Sequence, residues 1–423
     1  MANANSWKAA AIAAALALAA PAFGAAPLGA NVEDLLAYAR EHNPDYSAVR
    51  AEAAAAAERV QPAGALADPI LRTELMDVTN YGTEASPNVL PGRVGSTKYT
   101  LLQPLPFWGK RDLKREAAQA AADAAQGRAG AGWNDVAARI KATYAQYFAL
   151  ARLIDLNREV IDLIGRIEEI SRNRYANGLV PQQDAIRAQV ELTALRSDLV
   201  AMETEHHHAI AQLNALLARR ADAPLAVPQR LRPIPGAARL DYAALAERLE
   251  KQNPQLFAAD AGVRAAEKNR DLAYRNRWPD FTVGVAPTQT RSRVNDWELM
   301  VEFNIPLQQE SRRSQEREAE RNLDAARARK EASANQLLAE LSENLAAIES
   351  AGRVAALSQD SLLPQARLTF DAALAAYQNG KVDFATLLDA QRQIRVAKQN
   401  VIRAQADQQT RLADIERLIG EDL

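Results

Sequence analysis

The sequence predicts a mainly α chain with a β-barrel part, in which very long coiled-coil helices are joined to a few strands. Three observations carry this prediction. One unit of the chain is written twice, each copy holds segments that alternate with a period of two, and long proline-free stretches follow those segments.

The duplication organises everything else. His42-Asn43-Pro44 matches Gln252-Asn253-Pro254, and Pro69 matches Pro279 at the same spacing. Gln103-Pro104-Leu105 then matches Ile305-Pro306-Leu307, and Tyr175-Ala176-Asn177-Gly178 matches Tyr377-Gln378-Asn379-Gly380, at a second, slightly shorter spacing. The spacing changes between the matched prolines, in a hairpin loop, where insertions are tolerated. Four matches in order with two constant spacings indicate an internal repeat. The repeats are expected at about 32–222 and 240–421, joined by a connector at 223–239 that holds Pro224, Pro228, Pro233 and Pro235, too many prolines for helix or sheet. Each unit reads as helix, strand pair, very long helix, tight turn, long helix. The leading helices span 32–60 and 240–276, with Asn-Pro near each start restricting the backbone before it.

Strands are expected at about 70–78, 97–105, 281–287 and 297–305. Trp297, Leu299, Val301, Phe303 and Ile305 alternate with Glu298, Met300, Glu302 and Asn304, and Phe281, Val283 and Val285 alternate with Thr282, Gly284 and Ala286. A sheet with one apolar and one polar face is written this way. Tyr99, Trp278, Phe281, Trp297 and Phe303 stand near strand ends or on apolar faces, as an interfacial aromatic belt would place them. Four strands cannot close a membrane barrel, so several chains must contribute if these strands meet lipid. The other reading of such strands is a small soluble sheet packed on helices.

From Gly109 to Ala176 no proline occurs, and a helix of that extent is roughly 100 Å long. Leu153, Leu156, Val160, Leu163, Ile167 and Ile170 alternate steps of three and four, a coiled-coil seam. Leu192, Leu195, Leu199, Met202, His206, Ala209, Leu213 and Leu216 answer it on the returning helix, and Leu338, Leu341, Leu345 and Ile348 form the seam of the second unit. Ile154, Ile161 and Ile164 add a second stripe, which calls for a second neighbour. Gln391, Lys398, Gln405 and Gln408 in the last helix suit a surface that also meets water.

The 51 basic and 53 acidic residues nearly cancel, which argues against a nucleic-acid partner. The chain has no cysteine, so disulfides, thiolate sites and a cysteine-borne lipid anchor are excluded. Residues 1–26 read as an export signal, with Lys8, the apolar run Ala9 to Ala20, Pro21 and then small residues. Beyond it no apolar run approaches the roughly 20 residues of a spanning helix. No catalytic constellation, cofactor motif or metal set emerges. His206, His207 and His208 point about 100° apart on a helix and cannot converge on one ion.

These features resemble the TolC-like outer-membrane factors from about residue 31 onward. The duplicated unit and the turns Tyr175-Ala-Asn-Gly178-Leu179-Val180 and Tyr377-Gln-Asn-Gly380-Lys381-Val382 carry the resemblance. Where the family has valine before the glycine, this chain has Asn177 and Asn379, and Lys381 stands in place of threonine. The resemblance implies a trimeric α/β barrel: each chain gives four strands to a 12-stranded membrane barrel and long helices to a periplasmic tunnel. It also implies docking to a periplasmic adaptor and an inner-membrane pump, at turn residues Asn177, Gly178, Leu179, Asn379, Gly380 and Lys381. Asp184 and Asp389 match acidic constriction positions, and Tyr377 matches a tyrosine that latches the closed end. Asp184 is expected to be the hydrogen-bond partner of Tyr377 from a neighbouring helix hairpin. The stretch Gln103 to Arg111 resembles the strand-to-helix junction of the heavy-metal-efflux branch.

The expected function is therefore the outer-membrane exit channel of a tripartite efflux system. Two alternatives use overlapping features: an exit duct for a secreted polypeptide in a type I secretion system, and a pore-less periplasmic coiled-coil scaffold. Adaptor scaffolds usually flank one hairpin with a lipoyl-like β domain, which this chain lacks, and an enzyme is disfavoured for want of a site.

Overall fold

The computed structural model describes residues 28–79, 89–91 and 93–423. The expected export signal, and part of the hairpin loop expected to hold the length difference between the repeats, lie outside the described residues. Helices α1 (Val32–His42), α2 (Pro44–Glu58) and α3 (Val60–Gly64) lead into strands β1 (Ile70–Met76) and β2 (Ser96–Leu105). Helix α4 (Lys110–Ala176) then runs to a turn, and α5 (Gln182–Leu216) returns from it. The same order follows in the second half: α6 (Tyr242–Gln252), α7 (Pro254–Arg275), β3 (Phe281–Thr290), β4 (Arg293–Phe303), α8 (Gln309–Leu357), α9 (Leu363–Gln378) and α10 (Phe384–Ile419). Among the described residues no helix is long and apolar enough to cross a membrane.

Each leading helix is broken in two at its Asn-Pro step, the helix junction that this step marks in the sequence. Asn43 and Asn253 both take an extended backbone with ψ of 122°, because the proline ring that follows excludes the α region. The two asparagines then do the same work. Asn43 Nδ2 donates to the Leu216 carbonyl and Asn253 Nδ2 to the Leu418 carbonyl, each at 2.8 Å. Each break is thus tied to the last turn of a long helix, and the carbonyl that the helix end leaves unpaired is satisfied.

The second long helix is also interrupted. A π-helical segment, Ser358–Leu362, separates α8 from α9. Pro364 follows it, and proline lacks the N–H that would continue the ladder while its ring crowds the carbonyl four residues earlier. A wider turn accommodates both demands.

The strands form one antiparallel sheet in the order β1-β2-β3-β4. The turn between β3 and β4 is tighter than the alternation suggested, since Thr290 already pairs with Arg293. Residues there are polar on both faces, which hides a period of two. Register places Leu71, Leu101, Val285 and Leu299 in one row across all four strands, with Val283–Val301 and Phe281–Phe303 beside it on the same face. Leu299 is 83% exposed, Trp297 71% and Val301 59%. The opposite face carries Arg72, Glu74, Lys98, Glu298 and Glu302, and there Lys98 Nζ donates to Glu298 at 2.5 Å.

The chain divides into two compact units. One contains the sheet and the helices next to it (44–138, 235–348, 411–423), and the other contains the described residues up to 43 together with 139–234 and 349–410. In the first, Gly127 of α4 lies so close to α7 that an added Cβ would meet the Pro254 carbonyl oxygen at 2.8 Å, and only glycine permits that approach. In the second, Leu156, Val160, Ile164 and Ile167 of α4 share one core with Ala188 and Leu195 of α5, Ala373 and Tyr377 of α9, and Phe384 and Leu387 of α10. The expected second stripe on α4 is accounted for by this four-helix core. Ile170 departs from expectation: it is 53% exposed, and Ser171 is buried in its place. A straight helix of 3.6 residues per turn drifts off a strict heptad seam, so the buried line passes from Ile167 to Ser171. His206 packs on the Tyr147 ring at 4.9 Å, as its seam position requires, while His207 and His208 are exposed.

Candidate functional site

The candidate residues gather at the end of the second unit where α4 turns into α5 and α9 into α10. Both turns are built alike. Gly178 has φ of 70° and Gly380 φ of 68°, a left-handed backbone that glycine adopts without a Cβ penalty. Leu179 N–H donates to the Arg174 carbonyl and Lys381 N–H to the Ala376 carbonyl, each at 2.9 Å. These six-to-one bonds close a Schellman cap at each helix end. The asparagines that replace the family's valine add one bond each: Asn177 Nδ2 donates to Asn173 O and Asn379 Nδ2 to Ala375 O, both at 2.8 Å. Nothing lies within 4 Å of a Cβ built on either glycine. Asn177, Gly178, Leu179, Asn379, Gly380 and Lys381 are all exposed, so this tip is open to a partner.

Behind the tip the two hairpins meet. Tyr377 is buried, its ring 5.6 Å from that of Phe384 and under the Arg174 guanidinium at 5.3 Å. Its hydroxyl lies 3.1 Å from Ser171 Oγ. Within the chain, then, the hydroxyl's partner is Ser171 and not Asp184 as expected. Arg174 reinforces the junction by donating to the Tyr377 carbonyl at 3.4 Å. Ser171 and Arg174 were missed in the sequence. The available signal was a serine on the buried line of a coiled-coil seam, where a polar residue specifies a particular neighbour.

Asp184 is buried nearby at 7% exposure. Burial pushes its carboxyl above the usual range, the neighbouring Arg187 pulls it back, and Asp383 pushes it up again. Asp383 caps α10, accepting from Thr386 N–H at 3.0 Å and Thr386 Oγ1 at 2.6 Å, and these bonds hold its own carboxyl low. Arg187 stands 3.9 Å from Asp383. Asp389 is set apart from this cluster: its side chain is 71% exposed, with Arg392 at 3.6 Å one turn on. Arg392 also bonds to the buried Glu191 of the other hairpin. The arrangement joins the hairpins through polar contacts and offers carboxylates to water, but brings together no set of groups for covalent chemistry.

A profile of the family described as Outer membrane efflux protein matches residues 35–219 and 245–421, most of the chain. Among solved structures the fold is similar to that of a membrane protein from Pseudomonas aeruginosa (18% identity, TM-score 0.80, 94% of this chain and 91% of that one). The outer membrane protein VceC from Vibrio cholerae is similar at 17% identity and TM-score 0.79, over 92% of this chain and 96% of that one. The open state of the MtrE outer membrane channel of Neisseria gonorrhoeae is similar at 15% identity and TM-score 0.74, over 93% and 89%. At these identities the likeness establishes the fold. No curated protein matches the chain by sequence.

Proposed function

The chain belongs to the outer membrane efflux protein family, and on that premise we propose that it is the exit channel of a tripartite efflux system. Three copies supply twelve strands to one barrel in the outer membrane and twelve helices to a periplasmic tunnel. A periplasmic adaptor docks at the two turns, and an inner-membrane pump delivers the cargo, which the channel conducts passively. The observation that carries this reading is the sheet. One face is apolar and exposed across all four strands while the other carries charge, and a sheet edge cannot stand unpaired in lipid. Closure by further copies satisfies both conditions.

Heavy-metal cations are the cargo we assign, on the resemblance of Gln103 to Arg111 to the heavy-metal-efflux branch and on the exposed carboxylate of Asp389. Residues 1–26 then act as a cleaved export signal, and without cysteine the mature chain carries no N-terminal lipid. Membrane fractionation with native mass measurement tests assembly and location: an outer-membrane homotrimer is expected, and a soluble periplasmic monomer would end the reading. Val301→Arg tests the lipid-facing assignment. A charge near the bilayer midplane costs about 2–4 kcal/mol, so the variant is expected to lower trimer yield and stability; an unchanged trimer would reverse the orientation of the sheet.

A further inference from the structure

We propose that the junction between β2 and α4 binds a membrane phospholipid with an amine headgroup, an inference that rests on the outer-membrane location proposed above. A cavity of about 440 Å³ opens there, walled by Leu105, Phe281, Val283 and Val301 from the sheet and by Trp108 and Arg111 from the junction. The four sheet residues belong to its apolar face, so the cavity continues the surface assigned to lipid. Trp108 is 75% exposed, an exposure of aromatic surface that calls for an apolar partner outside the chain. Its ring is held all the same: it lies 5.3 Å from Phe107, which stacks on Trp278 at 5.2 Å. A wall so fixed is suited to acyl carbons at the level of the headgroups, where tryptophan is favoured.

The charges at the mouth complete the site. The first turns of α4 carry Lys110, Arg111, Lys114 and Arg115, although a helix start favours acidic residues. Lys110 is buried against Asp280 at 2.8 Å, and Arg115 bonds to Asp112 at 3.3 Å. Lys114 acts on the Asp280 carboxylate through space, whereas Arg111 makes no ion pair among the described residues. Arg111 Nε donates to the Gly64 carbonyl at 2.9 Å, which pins the guanidinium and leaves its terminal amino groups to face a phosphodiester. Asp112 also lines the mouth, opposes a simple anion, and suits the ammonium of a zwitterionic headgroup.

Native mass spectrometry of the detergent-released protein, titrated with phosphatidylethanolamine or phosphatidylglycerol, tests the site. Wild type is expected to retain phosphatidylethanolamine in preference to phosphatidylglycerol. Arg111→Gln should weaken retention about tenfold, the factor lost with one hydrogen bond to a charged group. Trp108→Ala, at a position too exposed to govern folding, should weaken it as well, and Arg321→Gln on exposed α8 surface should not. Equal retention by all four proteins, no preference for the amine lipid, or displacement by soluble phosphoethanolamine would each overturn the site. Outer-membrane fractionation of the same preparations separates the two ideas. An embedded trimer with equal retention overturns the lipid site alone, and a soluble chain overturns both.

Discussion

The turn after α4 and the turn after α9 share a residue pattern, a glycine conformation and a set of hydrogen bonds, yet their surroundings differ. Tyr175 and Tyr377 occupy equivalent positions three residues before the glycine. Tyr175 is 43% exposed and Tyr377 4%. Six residues after the glycines, the first hairpin places the buried Asp184 and the second the exposed Thr386. A duplicated sequence repeats what is local, because caps and turns depend on neighbours along the chain. It cannot repeat what is tertiary, because within one chain each hairpin has the other for its neighbour and never a copy of itself. The second tyrosine therefore reaches Ser171 and Arg174 of the first hairpin, while the first is left on the surface.

Lesions in the shared part should have equal and large effects. Gly178→Trp and Gly380→Trp each force a bulky residue into a left-handed backbone and fill the open tip. Both are expected to abolish efflux while the trimer still assembles, since nothing within the chain lies near either glycine. Resistance assays beside native mass measurement check this. Normal resistance in both variants would remove the tip from the docking surface, and loss in one alone would show that the turns are not equivalent to the partner.

Lesions in the unshared part should separate the hairpins. Tyr377→Ala empties a core site and is expected to cost about 3–5 kcal/mol, whereas Tyr175→Ala at the surface should stay within about 0.5 kcal/mol. Tyr377→Phe keeps the ring and removes only the bond to Ser171, a loss of roughly 0.5–1.5 kcal/mol. Thermal denaturation of the purified proteins orders the three variants. Similar losses for Tyr175→Ala and Tyr377→Ala would mean that assembly buries the first tyrosine as deeply as the second.

This division also describes what the sequence disclosed. Long helices and strand pairs were legible because their periods of 3.5 and two persist over many residues, and the turns because Asn-Gly after a long helix has few other uses. The Asn-Pro breaks were legible because proline restricts the residue before it, whereas the π segment before Pro364 is written in single residues that a periodic reading passes over. The Ser171–Tyr377 pair joins positions about 200 residues apart in the sequence, and no local pattern selects Ser171 over Asp184. The family resemblance supplied the constriction candidates by position relative to the turns, and position alone could not tell the buried Asp184 from the exposed Asp389.

That difference between the two carboxylates predicts different responses to pH. Asp184 has its carboxyl raised by burial in the folded state. Folding therefore takes up a proton between its ordinary value of 3.8 and the raised value. The stability so linked is fully present below the ordinary value and is lost as pH rises through the raised one. Asp184→Asn should flatten this window and leave the turn hairpins more stable at neutral pH. Unfolding of the wild type and the variant followed across mildly acidic pH checks it. An unchanged pH profile would show that Asp184 is not the group responsible.

Asp389 should behave in the opposite way, with almost no effect on stability and a distinct effect on conduction. Its partner Arg392 is 3.6 Å away on an exposed helix face, and such pairs contribute about 0–1 kcal/mol. Arg392 also keeps its bond to Glu191 when Asp389 is replaced, so no buried charge is stranded. In a trimer Asp389 occurs three times around one axis, and a ring of carboxylates in a narrow passage attracts cations and repels anions. Asp389→Asn is thus expected to leave the melting temperature in place and weaken cation preference in planar-bilayer recordings. The equivalent lesion in the first hairpin, Arg187→Gln, offers the contrast, because Arg187 faces Asp383 at 3.9 Å and has no place in a carboxylate ring. If Asp389→Asn keeps wild-type selectivity, the constriction lies elsewhere along the helices; if Arg187→Gln and Asp389→Asn weaken it alike, general surface charge sets the preference and not a ring at Asp389.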